Sequence, residues 1–162
     1  MIIIEDILKS IFEQLPSIKG FKPQFNWGNE NALNLFLSQK NNTNKYPLVW
    51  LVESEEEHFT NNTTATRDIK LIIAKESAHK TNTNPIIWES EFTEVLNPIL
   101  KNVVKALEKS GVTSIYNQKY SIQRLTNYTE NSKESKAIDQ WNVIIFRAKI
   151  TFQNKCINQI KF

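Results

Sequence analysis

The chain has 162 residues, of which 40% are hydrophobic and 10% aromatic, and its formal net charge is +3. This length and composition predict one globular domain, residues 1–162, that buries its own core, and the single cysteine cannot form an internal disulfide. The small charge does not indicate a sequence-specific nucleic-acid partner. No segment approaches the run of about 18 apolar residues that predicts a membrane span, so we expect no membrane partner.

The N-terminal third predicts one clear helix. Residues 3–15 carry apolar side chains at three- and four-residue steps, which is typical of an amphipathic helix, and Pro16 ends the pattern. Its apolar side is expected to face the core rather than another subunit. Residues 21–27 alternate weakly, which allows a short strand. Residues 32–38 allow either a strand or one helical turn.

Two short apolar runs then predict a pair of buried strands. YPLVWLV (46–52) is apolar and β-branched, and TRDIKLIIAKE (66–76) alternates apolar and polar residues. Because only the polar segment 53–64 joins them, we expect an antiparallel hairpin with 53–64 as its loop. The polar segment 39–45 is expected to be a loop as well.

The longest helical pattern runs from Trp88 to Gly111. Pro98 interrupts it, since proline removes one hydrogen bond and clashes with the preceding turn. Either the helix kinks there, or Asn97 caps a second segment with Pro98 in its first turn. Gly111 is expected to end the helix in a left-handed conformation. The apolar stripe consists of Phe92, Val95, Leu96, Ile99, Leu100, Val103 and Leu107.

A second hairpin closes the chain. Residues 119–129 predict a strand, 130–137 a charged loop, and 138–152 a long strand with strict alternation. The apolar side of that last strand is expected to pack against the stripe of the long helix. The predicted fold class is therefore α+β, a mostly antiparallel sheet with the long helix and the short N-terminal helix packed on one face. The side facing the helix contains Ile144, Phe146, Ala148, Ile150 and Phe152, and the other side Trp141, Val143, Ile145, Arg147, Lys149 and Thr151.

No motif in the sequence indicates catalysis. The two histidines, His58 and His79, have no histidine or cysteine partner at metal-ligand spacing, so both are expected to be solvated. The sequence contains no glycine-rich phosphate loop and no nucleophile elbow. We therefore expect no catalytic residue, no cofactor and no metal ion.

The candidates for interaction with a partner are charged. An acidic cluster at 53–57 is expected to be either a solvated loop or a surface that faces a partner. The only three arginines all fall in predicted strands of a lysine-rich chain, which favours fixed ion pairs within the chain or between subunits. The four tryptophans are expected in the core or at an oligomer interface. The candidate interface residues are Glu53, Glu55, Glu56, Glu57, Arg67, Arg124 and Arg147.

Basic and aromatic residues also alternate on the last hairpin, which is the pattern of a small nucleic-acid-binding α+β protein. A solvated sheet face explains the same residues equally well. They are Lys119, Tyr120, Arg124, Tyr128, Arg147 and Lys149.

The order of elements resembles that of phage tail terminator and tail-completion proteins: an N-terminal helix, a hairpin with a long polar loop, a long helix and a closing hairpin. WESEFTEVLNPILKNVVKAL resembles the helix of that family, and DQWNVIIFRAKITFQNKC resembles the last strands of small neck proteins from phages of Bacteroidetes-type hosts. The resemblance implies a structural virion protein at the neck or tail end, assembled in the host cytoplasm. It implies a ring, commonly a hexamer, that caps the tail tube protein and docks to connector or neck proteins. It transfers no individual functional residue.

Overall fold

The computed structural model describes residues 3–38, 46–53, 56–76, 85, 88–128 and 141–162. The helices are α1 (Ile4–Phe12), α2 (Glu30–Ser38) and α3 (Asn97–Lys109), and a π-helical segment, Trp88–Leu96, leads directly into α3. The strands are β1 (Gln24–Gly28), β2 (Leu48–Val52), β3 (His58–Asn61), β4 (Thr64–Glu76), β5 (Thr113–Tyr128) and β6 (Trp141–Gln153).

All six strands belong to one sheet with the order β1-β2-β4-β6-β5, and β3 lies beside β4 next to the end of β2. Only β1 and β2 are parallel, and the other neighbouring pairs are antiparallel. Strand β6 pairs with β4 along its whole length, from Thr64 opposite Gln153 to Glu76 opposite Trp141. The predicted α+β class with a mostly antiparallel sheet is therefore confirmed.

One face of the sheet carries the main core. Helix α1, the π-helical segment and α3 cover this face, and their apolar side chains join those of β2, β4 and β6 in one buried cluster. The prediction that the long helix and the N-terminal helix pack on the same face of the sheet is thus confirmed. The apolar face of a sheet must be covered, and the apolar stripes of these two helices cover it. The predicted contact partners Phe92, Leu96, Ile99, Leu100, Val103, Leu107, Ile144, Phe146 and Ile150 all lie in this cluster.

Within the part of the chain that the structure describes, α2 covers part of the opposite face. Segment 32–38, for which the sequence allows a strand or one helical turn, belongs to this nine-residue helix. Asn29 caps it, since its Oδ1 accepts a hydrogen bond of 3.0 Å from the backbone N–H of Ala32. Leu33 packs with Trp50 and Trp141 in a second buried cluster, so two tryptophans are core residues, as expected.

The long helix changes type at Pro98. The first nine residues form wide π-helical turns, and the α-helical hydrogen bonding begins at Asn97 with Pro98 in its first turn. Proline is tolerated there because the first N–H groups of a helix have no partner within it. Pro98 therefore lies in the first turn of a second segment, as one of the two predictions has it, but the predicted cap by Asn97 is wrong. Leu96 precedes the segment in a helical conformation and no side chain caps it, so the chain is helical without a break from Trp88 to Lys109. Gly111 follows the helix with φ +76°, as predicted.

Two polar stretches differ from the prediction. The predicted loop 53–64 contains β3, which pairs with the start of β4 across a tight turn in which Asn61 Oδ1 accepts hydrogen bonds from the N–H and hydroxyl of Thr63, each 2.8 Å. Strand β5 begins at Thr113, six residues earlier than predicted. The predicted loops 39–45 and 130–137 and His79 lie outside the described residues. No helix in the described ranges is long and apolar enough to cross a membrane.

Candidate interaction surfaces at the two edges of the sheet

A buried arginine ties α1 to the middle of the sheet. Arg67 extends from β4 into the helix-covered face and is only 2% exposed. Its Nη1 donates to Glu5 Oε1 at 2.5 Å and to Glu57 Oε1 at 3.1 Å. The predicted ion pair of Arg67 therefore forms within the chain, and Glu57 takes part in it. Because one guanidinium serves two carboxylates, the cluster keeps a negative excess.

The excess negative charge lies at the wall of a cavity beside edge strand β1. The cavity has a volume of about 440 Å³. We call it the acidic socket, and its charged and apolar walls include Ile3, Glu5, Asp6, Trp27, Glu53 and Arg67. Ile3 and Trp27 are 55% and 37% exposed, and Asp6 and Glu53 are exposed as well. The socket thus presents apolar surface and carboxylates together to the solvent.

A wide groove of about 860 Å³ crosses the part of the sheet that α2 leaves open. One wall comes from the ends of β2 and β3 and carries Glu53 and Glu56. The other wall, which we call the basic wall, comes from β4, β5 and β6. It consists of Lys70, Lys119, Arg147 and Lys149, with Asp68 among them.

Strand β5 forms the other edge of the sheet and contains a large bulge. Ile115 pairs with Ile150 and Tyr120 with Ala148, so residues 116–119 have no opposite residues in β6. Asn117 and Gln118 adopt φ of +51° and +53°, a conformation that few residues other than glycine take. We call residues 116–119 the β5 bulge. Two of its side chains are exposed, those of Tyr116, at 54%, and Lys119.

The remaining predicted site residues are dispersed. Arg124 points to the helix side, where its Nε and Nη2 donate to Asn97 Oδ1 at 3.1 and 3.0 Å. Arg147 is exposed on the basic wall, Glu53 borders both the socket and the groove, and exposed Glu56 lies 3.8 Å from His58 Nε2. Glu55 lies outside the described residues. The acidic cluster is therefore divided between a buried ion pair and two exposed walls.

Sequence reasoning missed Asp6 and Tyr116, since neither stands in a charged run or a motif. Among the described residues, no group of three or more histidine, cysteine or acidic side chains is placed to hold a metal ion. The structure therefore offers two chemically different surfaces, the acidic socket beside β1 and the β5 bulge with the basic wall. No known family model matches the chain, and no curated protein matches it either.

Proposed function

We propose that this protein is a structural component of a tailed phage that closes into a ring, in the family it resembles commonly a hexamer, at the neck or the tail end. In that role it caps the tail tube and presents a surface to the connector. The observation that carries the proposal is the edge of the sheet at β5, which no other strand of the described residues covers.

Strand β5 has 16 residues and ends the order of strands in the sheet. Tyr116, Tyr120 and Ile122 along it are 54%, 47% and 37% exposed. An edge strand with exposed apolar side chains is a surface for contact with another chain, and the β5 bulge restricts strand pairing to the residues on either side of it. This strand therefore supports a protein that functions as an assembly.

A ring requires two different surfaces that fit each other, because each subunit meets one neighbour with its front and the other with its back. The two edges of this sheet differ in that way. Acidic residues and Trp27 lie beside β1, whereas Lys119 and exposed tyrosines lie on β5, next to Arg147 and Lys149 of β6. This difference supports a head-to-tail arrangement, because a two-fold contact of β5 with β5, or of β1 with β1, would place like charges together.

The assignment to a phage neck or tail end is supported by the resemblance in element order. The N-terminal helix, central hairpin strands, long helix and closing hairpin follow one another in the structure in that order, with β1, α2 and β3 as additions.

The mass of the purified protein in solution tests the proposal. We expect a closed oligomer by light scattering and native mass spectrometry, and rings in negative-stain micrographs. We also expect cosedimentation with tubes assembled from a candidate tail-tube protein encoded beside this chain. A protein that stays monomeric at all concentrations and does not bind tubes would overturn the proposal.

The basic wall supports a second candidate, a nucleic-acid-binding protein. Four of the six residues predicted for that role line one groove, together with Lys70; they are Lys119, Tyr120, Arg147 and Lys149. Such binding releases counterions, so its affinity should fall steeply with salt. Arg147→Ala should then weaken retention of single-stranded DNA at low salt, whereas Lys101→Ala, an exposed cation on α3, should not. Equal retention of both variants would reject this candidate.

A further inference from the structure

We propose that the subunits of the ring join through the β5 bulge of one copy, which inserts into the acidic socket of the next copy of the same chain. This inference rests on the proposed function and specifies its interface. The occupant of the socket is thus a second copy of this chain, and the contact uses side chains from opposite ends of the sheet.

The shape of the bulge suits insertion. Two residue pairs flank the bulge, Ile115 with Ile150 and Tyr120 with Ala148. Between them lie four residues of β5 but only one residue of β6. The extra residues leave the plane of the ladder, so this part of the edge cannot extend the sheet by simple strand pairing. Left-handed conformations at Asn117 and Gln118 hold the projection in place. Such conformations in residues other than glycine are concentrated at functional sites.

The charges of the two surfaces are complementary. Three carboxylates line the socket, those of Glu5, Asp6 and Glu53. The single guanidinium of Arg67, which Glu5 shares with Glu57, balances only part of their charge. The bulge instead ends at Lys119 beside the basic wall. There Lys149 Nζ lies 5.8 Å from the centre of the Tyr116 ring, which places a second cation at the base of the bulge. Complementary charges of this kind orient two partners and suppress wrong pairings.

The apolar parts match as well. Trp27 and Ile3 offer exposed apolar surface at the socket, and Tyr116 offers an exposed ring on the bulge. Aromatic residues of this type are enriched among residues that dominate binding energy at interfaces. A cavity of about 440 Å³ falls within the range of about 300–1,000 Å³ typical of small-molecule sites, so it has room for a few side chains.

Charge reversal on each surface tests this contact. The first variant carries Lys119→Glu and Arg147→Glu, and the second carries Asp6→Lys and Glu53→Lys. All four side chains are exposed and none belongs to the Arg67 ion pairs, so both variants should fold. The control carries Lys101→Glu and Lys161→Glu, two exposed cations away from both surfaces, with the same change in charge as the first variant.

Each reversed variant should lose the ring and run as a monomer, whereas the control should keep it. An equal mixture of the two reversed variants should restore rings in which the variants alternate, because each reversed surface then meets its complement. Native mass spectrometry distinguishes these alternating rings by their equal content of both variants. Circular dichroism establishes that the separate variants are folded.

The outcomes separate the two proposals. If the wild type and both reversed variants all form rings, the bulge-and-socket contact is overturned and the ring proposal stands. The same conclusion follows if the wild type forms rings but the folded variants do not form rings when they are mixed. A wild-type protein that is always monomeric overturns both. Should a double variant misfold, the single changes Asp6→Lys and Lys119→Glu replace it, and each should shift the ring towards monomer on dilution. Wild-type behaviour in both single variants would refute the contact.

Discussion

Replacing Arg67 should destabilise the fold strongly, because its guanidinium is the only ion-pair partner of Glu5 and Glu57 among the described residues. Removing one member of a fully buried ion pair costs about 3–5 kcal/mol, since the remaining charge stays desolvated. Here the two carboxylate side chains keep 24% and 32% exposure, so water reaches them in part. We therefore expect the lower end of that range, about 3 kcal/mol, for Arg67→Met.

A double-mutant cycle isolates the ionic contribution. Methionine keeps much of the apolar stem of Arg67, and Glu5→Gln keeps the shape of Glu5 without its charge. Glu5→Gln alone should cost about 1.5–3 kcal/mol, the value of a hydrogen bond to a charged group. The double variant should be more stable than the sum of the two losses predicts by about 1–2 kcal/mol, since contacting residues couple in this range.

Equilibrium urea unfolding measures these differences, at one fixed protein concentration because assembly shifts apparent stability. The matched control is the exposed pair of Lys19 and Glu94, with an N–O distance of 3.3 Å and side chains 58% and 46% exposed. Glu94→Gln should change stability by no more than about 0.5 kcal/mol. If the stability losses of Arg67→Met and Glu5→Gln simply add, the two side chains are not coupled. Wild-type stability of Arg67→Met would likewise refute a stabilising role for the ion pair.

Two further changes test the core and the end of the long helix. Leu100→Ala should lower the free energy of unfolding by about 2–5 kcal/mol, because it leaves a cavity in the main core. Glu56→Ala in the exposed acidic wall should change that free energy by no more than about 0.5 kcal/mol. Equal shifts of the urea midpoint in the two variants would show that the core is misplaced. Gly111→Ala should lower the melting temperature, because its φ of +76° strains any side chain and its Cβ would collide with the amide of Asn158; an unchanged melting temperature would contradict that geometry.

Long periodic segments were predictable from sequence. Strand β6 alternates over 13 residues, and its register against β4 places every predicted side chain on the predicted face. A slip by one residue would move all of its apolar side chains to the wrong face, so such a strand has one acceptable register. The stripe of the long helix is determined in the same way. Pro98 could be limited to two outcomes, a kink or the first turn of a second segment, because proline has few permitted positions.

Short segments were not predictable. In residues 32–38 the leucines alternate as in a strand, yet the segment is helical, with Leu33 2% and Leu35 66% exposed. Over so few residues the two periods cannot be separated, although Asn29 was a readable capping signal. All four residues of β3 are exposed, so this strand has no buried face. Its sequence therefore lacks the alternation of apolar and polar residues that predicts a strand.

The site depended on contacts between distant parts of the chain. Glu5 and Arg67 are 62 positions apart, and no local pattern indicates which of the many carboxylates meets the one buried arginine. The β5 bulge was hidden for a different reason. Its left-handed residues are Asn117 and Gln118, and no glycine marks the turn.

The Arg67 cluster connects the stability of a subunit with its proposed assembly. The same turn of α1 directs Glu5 inward to Arg67 and leaves Asp6 exposed in the socket. In a free subunit the surplus carboxylates repel one another. Added salt screens that repulsion more than it screens the Arg67 ion pairs, because Asp6 and Glu53 are exposed whereas Arg67 is buried. In the proposed ring, Lys119 of the next copy supplies the missing positive charge, and added salt screens this attraction instead. Salt should therefore raise the stability of the folded monomer while it shifts the ring towards monomers. These two opposite responses follow from one set of carboxylates.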